Sequence, residues 1–188
     1  MRVFVALDVP ERVRASLAEL SERLKKVCPN ARWVRLEGIH ITLKFIGEAS
    51  PEKLEHIRQA LGELRSFSPI IVRFEGLGFF PGARRPRVFW AGVQADPKLA
   101  ELAAAIEMKL APLGIAPEKR AFHPHLTLAR FEPPQGTQAL REAVEALGTP
   151  EFGEETFSEF HLYQSVLKRS GAEYTRLVTY AFSGEPAS

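Results

Sequence analysis

Cysteine occurs once, at Cys28, so the chain can form no internal disulfide and no thiolate zinc cluster. Long hydrophobic runs are missing too. None approaches the ~18 residues that suggest a membrane span, and no charged-then-apolar leader with a cleavage site opens the sequence. These absences lead us to expect a cytoplasmic protein that enters no membrane. Charge of one sign is scarce: 25 Lys and Arg against 23 Asp and Glu leave a formal net charge of +2. Bulk electrostatics of that size do not hold nucleic acid indiscriminately. No glycine-rich phosphate loop follows any predicted strand, which removes support for a Rossmann or P-loop reading. Asparagine appears only at Asn30, a scarcity compatible with a thermophilic source.

What is present is ordinary in bulk and unusual in arrangement. Of the 188 residues, 45% are apolar and 26% charged, as in soluble globular chains. One pattern, His-x-Thr-x, occurs twice, as His40-Ile41-Thr42-Leu43 and His125-Leu126-Thr127-Leu128. Both copies sit in alternating apolar runs that predict strands. On a strand, successive side chains point to opposite faces, so each His shares a face with its own Thr while Ile41, Leu43, Leu126 and Leu128 face a core. The surroundings repeat as well. Arg2-Val3-Phe4 lies 38 residues before His40, and Arg87-Val88-Phe89 lies 38 before His125. An offset of 85 residues nearly halves the chain, as an internal duplication does. Residues 1–188 are therefore read as one bilobal domain.

Along the chain, a strand is predicted over residues 2–8 and a helix from Pro10 to about Cys28, with Val13, Leu17, Leu20, Leu24 and Val27 on one face. A short strand at Arg32–Arg35 precedes the first motif strand. A second helix runs from about Pro51 to Arg65, and strands follow near Ile70–Leu77 and Arg87–Gln94. The second half gives a helix from Pro97 to Leu113, a motif strand from Phe122 to Phe131, and a helix ending at Gly148. A hairpin follows near Phe157–Gln164 and Tyr174–Phe182. The expected fold class is α+β: two pseudo-symmetric lobes, each an antiparallel sheet with helices on its outer face, and a cleft between the sheets.

Two imidazoles on opposed faces suit concerted general acid–base catalysis, since histidine titrates near ~6.5 and serves as either acid or base at neutral pH. Thr42 and Thr127 are placed to donate hydrogen bonds to the nonbridging oxygens of a phosphate. A cyclic phosphodiester is a suitable substrate because ring strain reduces what the protein must supply. The scheme requires no metal and no cofactor. Lys44 shares the parity of His40 and Thr42 and is a candidate substrate contact. Arg130 is another, although strict alternation puts it opposite His125, and only a bulge or the strand end brings it round. Arginines crowd Arg84-Arg85-Pro86-Arg87, beside Phe79 and Phe80, and a second basic turn lies at Lys168-Arg169. Both basic segments, and base stacking on the two Phe rings, are weighed against plain surface or packing roles. His56 and His161 are read as surface residues, and His40 and His125 as facing solvent.

These motifs, with the opening MRVFVALDVP, the HITLKFIGE segment and FHPHLTLARF, resemble the 2H phosphoesterases. Within that superfamily the resemblance is to the RNA 2′,3′-cyclic phosphodiesterases, once called 2′-5′ RNA ligases. It covers nearly the whole chain. The resemblance implies hydrolysis of a 2′,3′-cyclic phosphate at an RNA 3′ end to a 2′-phosphate, with reverse 2′-5′ ligation at the same site. It makes His40 the proton donor to the departing 3′ oxygen and His125 the base that activates water. Thr42 and Thr127 then hold phosphate oxygens, and an arginine follows the second motif, as Arg130 does here. The expected partners are RNAs with cyclic phosphate ends, such as tRNA fragments, or cyclic nucleotides, bound by a monomer. Competing readings are a phosphodiesterase for small cyclic nucleotides or 2′-5′ oligonucleotides, and a non-catalytic RNA-binding protein.

Overall fold

The computed structural model describes residues 1–64, 67–132 and 136–183. The described elements run β1 (Arg2–Asp8), α1 (Glu11–Lys25), β2 (Arg32–Trp33), β3 (His40–Glu48), α2 (Pro51–Gly62), β4 (Ile70–Phe80) and β5 (Val88–Ala95). They continue as α3 (Pro97–Leu110), β6 (His125–Arg130), α4 (Gln138–Leu147), β7 (Glu151–Phe157), β8 (Glu159–Lys168) and β9 (Gly171–Ala181). The helices form where the apolar spacing places them. α1 buries Val13, Leu17, Leu20 and Leu24, and α3 buries Leu99, Leu102, Ile106 and Leu110. Full burial of one such leucine favours the fold by about 1.5–3 kcal/mol. Ser50 and Asp96 cap α2 and α3, accepting from the N–H groups of Lys53 at 3.1 Å and Lys98 at 2.7 Å, and each is followed by a proline that needs no donor there.

All strand pairs are antiparallel, in two sheets of order β3-β1-β8-β9 and β2-β6-β5-β4-β7. This is the α+β, two-sheet architecture expected. Each sheet nevertheless draws on both halves of the chain: β4 crosses to pair with β5 and β7, while β8 returns to flank β1 and carries β9 on its other side. α1 packs against β7, and α3 against β3. One boundary differs from expectation, and one strand is new. The second motif strand begins only at His125, because Pro124 has no N–H for a ladder. β7 was not foreseen. Its Glu151, Glu154 and Glu155 disguise an edge strand that buries only Phe152 and Phe157 and pairs on one side with β4. The Arg65 end of the second predicted helix lies outside the described residues.

The two motif strands share one irregularity that decides what faces the cleft. Against β1, Thr42 pairs with Ala6 but Lys44 pairs with Val5, leaving Leu43 as an extra residue. Against β5, Thr127 pairs with Trp90 but Ala129 pairs with Phe89, leaving Leu128 extra. A bulge of this kind puts two consecutive side chains on one face and reverses parity beyond it. Phe45 and Arg130 therefore return to the face of the histidines, while Lys44 and Ala129 turn into the core.

Lys44 thus corrects the alternation argument. It is buried, with its side chain 1% exposed, and its Nζ lies 2.7 Å from Glu107 Oε1 on α3 and donates to the Ala116 carbonyl at 2.7 Å. Its charge is spent inside the protein and is not free for a substrate. Lys44→Met leaves Glu107 half-enclosed without a counter-ion, and we expect it to lower stability toward the low end of roughly 3–5 kcal/mol. The double variant with Glu107→Met is expected to recover most of that loss. Urea unfolding of the four proteins reads the coupling; a single variant as stable as wild type refutes a structural role for the pair.

Candidate active site

The sheets meet where β3 approaches β6, and the seam opens into a cavity of about 800 Å³. His40, Thr42, His125 and Thr127 all line it, together with Phe45 and Arg130. The sequence thus placed both histidines and both threonines at one cavity, and the bulge brings Arg130 to it. Phe79 stacks on Phe89 with ring centres 5.1 Å apart, and neither Phe79, Phe80 nor Arg84, Arg85 and Arg87 lines the cavity. The Lys168–Gly171 turn touches it through Arg35, a lining residue whose guanidinium donates to the Ser170 carbonyl at 2.6 Å.

The two histidines have different surroundings. His125 is exposed, and its Nδ1 lies 2.8 Å from the His123 carbonyl. A carbonyl only accepts, so Nδ1 carries the proton and, in the neutral ring, Nε2 keeps its lone pair. His40 is enclosed, its side chain 11% exposed. Phe4, Tyr163 and Tyr174 surround its ring at centre distances of 5.8, 4.4 and 5.2 Å. Gly38 makes the last contact possible: a Cβ there would lie 2.8 Å from the Tyr174 ring. Burial pushes the His40 imidazole down to about 4, the Arg14 guanidinium and His161 push the same way, and a hydrogen bond to the Gly38 backbone opposes them. The expectation of a solvent-facing imidazole holds for His125 only.

Behind His40 sits a polar cluster that the sequence reading missed. Asp8 pairs with His40 across β1 and β3, and its Oδ1 is 3.6 Å from His40 Nε2. The Tyr163 hydroxyl donates to Asp8 Oδ1, and Arg176 donates to Oδ2. His161 was expected at the surface, but it is 2% exposed. Its Nε2 lies 3.7 Å from Asp8 Oδ2 and its Nδ1 3.0 Å from Thr179 Oγ1. Burial lowers its basicity, with Glu159 acting in the other direction. Burial also raises the Tyr163 phenol to about 12, so it stays a donor. The signal was present in register: Asp8, Ala6 and Phe4 alternate onto the His40 face, and His161 and Tyr163 pair with Ala6 and Phe4. Pairing partners, however, are not written in a single strand.

Two bulged His-x-Thr strands from two antiparallel sheets close on one cavity. The family follows from comparison: the model of the 2′-5′ RNA ligase superfamily matches residues 9–168, and the chain belongs to that superfamily. An Archaeoglobus fulgidus protein named RNA 2′,3′-cyclic phosphodiesterase is 36% identical over 177 residues, covering 94% of this chain and 98% of that one. A Thermotoga maritima protein of the same name is 33% identical over 185 residues, 98% and 97% of the two chains. Among solved structures, TT0787 of Thermus thermophilus superposes with a TM-score of 0.79 at 30% identity, covering 99% and 100%. Escherichia coli LigT complexed with 3′-AMP gives 0.74 at 28% identity, covering 97% and 98%. Among the described residues, no helix is long and apolar enough to cross a membrane.

Enclosure of His40 has a pH consequence. Its folded value, about 4, lies below the ~6.5 of an unfolded chain. The unfolded state therefore binds the extra proton first. Stability from this group is fully present above pH ~6.5 and is lost as pH falls through 4, at up to about 1.4 kcal/mol per pH unit. His161 acts in the same direction. Urea midpoints at pH 7 and pH 5 are expected to differ less in His40→Gln than in wild type; equal differences refute the assignment.

Proposed function

We propose that this protein hydrolyses 2′,3′-cyclic phosphates at RNA 3′ ends to 2′-phosphates by metal-independent two-histidine acid–base catalysis. The observation that carries the reading is the convergence of His40, Thr42, His125 and Thr127 on one cavity. The names of the relatives from Archaeoglobus fulgidus and Thermotoga maritima support the substrate class. In this scheme His125 Nε2 takes a proton from water as its oxygen attacks phosphorus. The bond from phosphorus to the 3′ oxygen breaks, and His40 gives that oxygen a proton. Thr42, Thr127 and Arg130 hold the nonbridging oxygens, where developing charge is largest.

His40 is neutral in the free protein near pH 7 and must be charged to act as the acid. The complex brings a new anion to offset its burial: the substrate phosphodiester, which joins Asp8, 3.6 Å from Nε2. An anion held beside an imidazole favours the charged ring. Inorganic phosphate is therefore expected to raise the His40 pKa, and to bind more tightly as pH falls toward that value. An NMR titration of the ring with and without phosphate checks this.

Reverse 2′-5′ ligation follows from microscopic reversibility, with the histidine roles exchanged. A second reading is a small cyclic nucleotide as the natural substrate. It is favoured by the modest net charge and by the solved complexes of Escherichia coli LigT with 3′-AMP and ATP.

The test is turnover in EDTA of an RNA oligonucleotide ending in a 2′,3′-cyclic phosphate, with 2′- and 3′-phosphate products resolved. We expect the 2′-phosphate. His125→Ala and His40→Gln are each expected to reduce kcat by about 10²–10⁴-fold. Only the His40 variant is expected to change stability, because His125 is exposed. Full activity in either variant, or activity that EDTA abolishes, refutes the scheme.

A further inference from the structure

A cyclic-phosphate end is met from one side only: the RNA strand continues 5′ of the terminal nucleotide and has to leave the cleft in a definite direction. The two His-x-Thr strands are near copies and give no direction by themselves. The structure breaks the symmetry just past the first motif. There the bulge turns Lys44 inward, where its Nζ holds the Ala116 carbonyl at 2.7 Å and Glu107 at 2.7 Å. This ties the segment after α3 down beside β3. At the matching place past the second motif stands Ala129, which has no group to hold a loop.

Between the tethered segment and the start of α2 lies a second cavity of about 440 Å³. Phe45, Glu118 and Arg120 line both it and the His40–His125 cavity, so the two adjoin. Phe45, which lines both, is 46% exposed. The second cavity adds Lys53 from α2 and Lys119 from the tethered segment to Arg120, against the single free carboxylate of Glu118. Among the described residues, none of these three cations has a carboxylate partner. Unpaired cations around a cavity that adjoins the His40–His125 cleft fit a polyanionic strand.

We infer that the second cavity is the exit groove for single-stranded RNA, in which Lys53 and Lys119 bind backbone phosphates 5′ of the nucleotide carrying the cyclic phosphate. This deepens the proposed function and rests on it. The groove contacts nothing in a mononucleotide, which ends at the first cavity. It therefore separates a chain substrate from a small one.

The test compares a nucleoside 2′,3′-cyclic monophosphate with an RNA oligonucleotide of about eight residues bearing the same end. Wild type is set against the double variant Lys53→Glu with Lys119→Glu, and against the neutral Lys53→Gln with Lys119→Gln. Glutamate at position 53 falls in the first turn of α2, where a negative charge is tolerated. We expect mononucleotide kcat/KM to stay within about twofold, which also shows that the variants fold. Oligonucleotide KM is expected to rise about tenfold at low salt in the Glu pair and less in the Gln pair. For two lost contacts, the slope of log affinity against log salt is expected to fall by about 1.4. Equal oligonucleotide KM in wild type and variants, or equal losses on both substrates, overturns the groove. If wild type turns over neither substrate, the function proposed above fails instead. Fluorescence binding of the same oligonucleotide with a 3′-phosphate end then still decides the groove: affinity and salt slope unchanged by the variants overturn it.

Discussion

One extra residue in each motif strand governs the chemistry of the whole cleft. Antiparallel pairing with β1 and β5 holds His40, Thr42, His125 and Thr127 on the inner faces. The bulges at Leu43 and Leu128 then change which later side chains join them. Without that reversal a lysine would face the cleft in one lobe and an alanine in the other, and Arg130 would point into apolar packing. With it, the cleft gains an aromatic ring on one side and a guanidinium on the other. The buried face takes Lys44, which finds its counter-charge on α3. A local change of backbone count therefore acts at three places: at the site, in the core and at the neighbouring loop.

The electrostatics of the two lobes differ. His125 stands in solvent with one nitrogen committed to a carbonyl, an arrangement that leaves a basic lone pair. His40 is walled by Phe4, Tyr163 and Tyr174 and backed by Asp8, which also receives Tyr163 and Arg176. Enclosure disfavours its charged form, and the hydrogen bond to the Gly38 backbone answers part of that penalty. In the proposed reaction an arriving phosphodiester offsets that penalty, so the proton is taken up where and when an anion is present. In the proposed scheme, the contrast between a solvated and an enclosed histidine gives two chemically identical side chains distinct tasks.

Much of this was legible in the chain itself because it rests on short-range regularity. The His-x-Thr repeats, the leucine spacing of α1 and α3, and the proline-led helix starts all follow from periods of two and 3.6. What was not legible depends on partners distant in sequence. The Lys44 orientation follows from register against β1, and Arg130 from register against β5. His161 reads as a surface residue on its own strand and becomes buried only when β8 is laid beside β1. β7 hides because an edge strand with one paired side tolerates glutamates that an inner strand does not.

The exchange of strands between the lobes bears on how the molecule is made. β1 is an inner strand of its sheet, yet one of its two neighbours is β8, with Val5 opposite Leu162. Pairing at such separation is slow, because the loop must close before any contact rewards it. During synthesis the first lobe's strand emerges early and waits for almost the whole chain, its apolar faces open meanwhile. The Asp8 and Tyr163 that frame His40 come from these two distant segments. The His40 environment therefore forms late, and a nascent chain that has already displayed both motifs is still without its enclosed histidine.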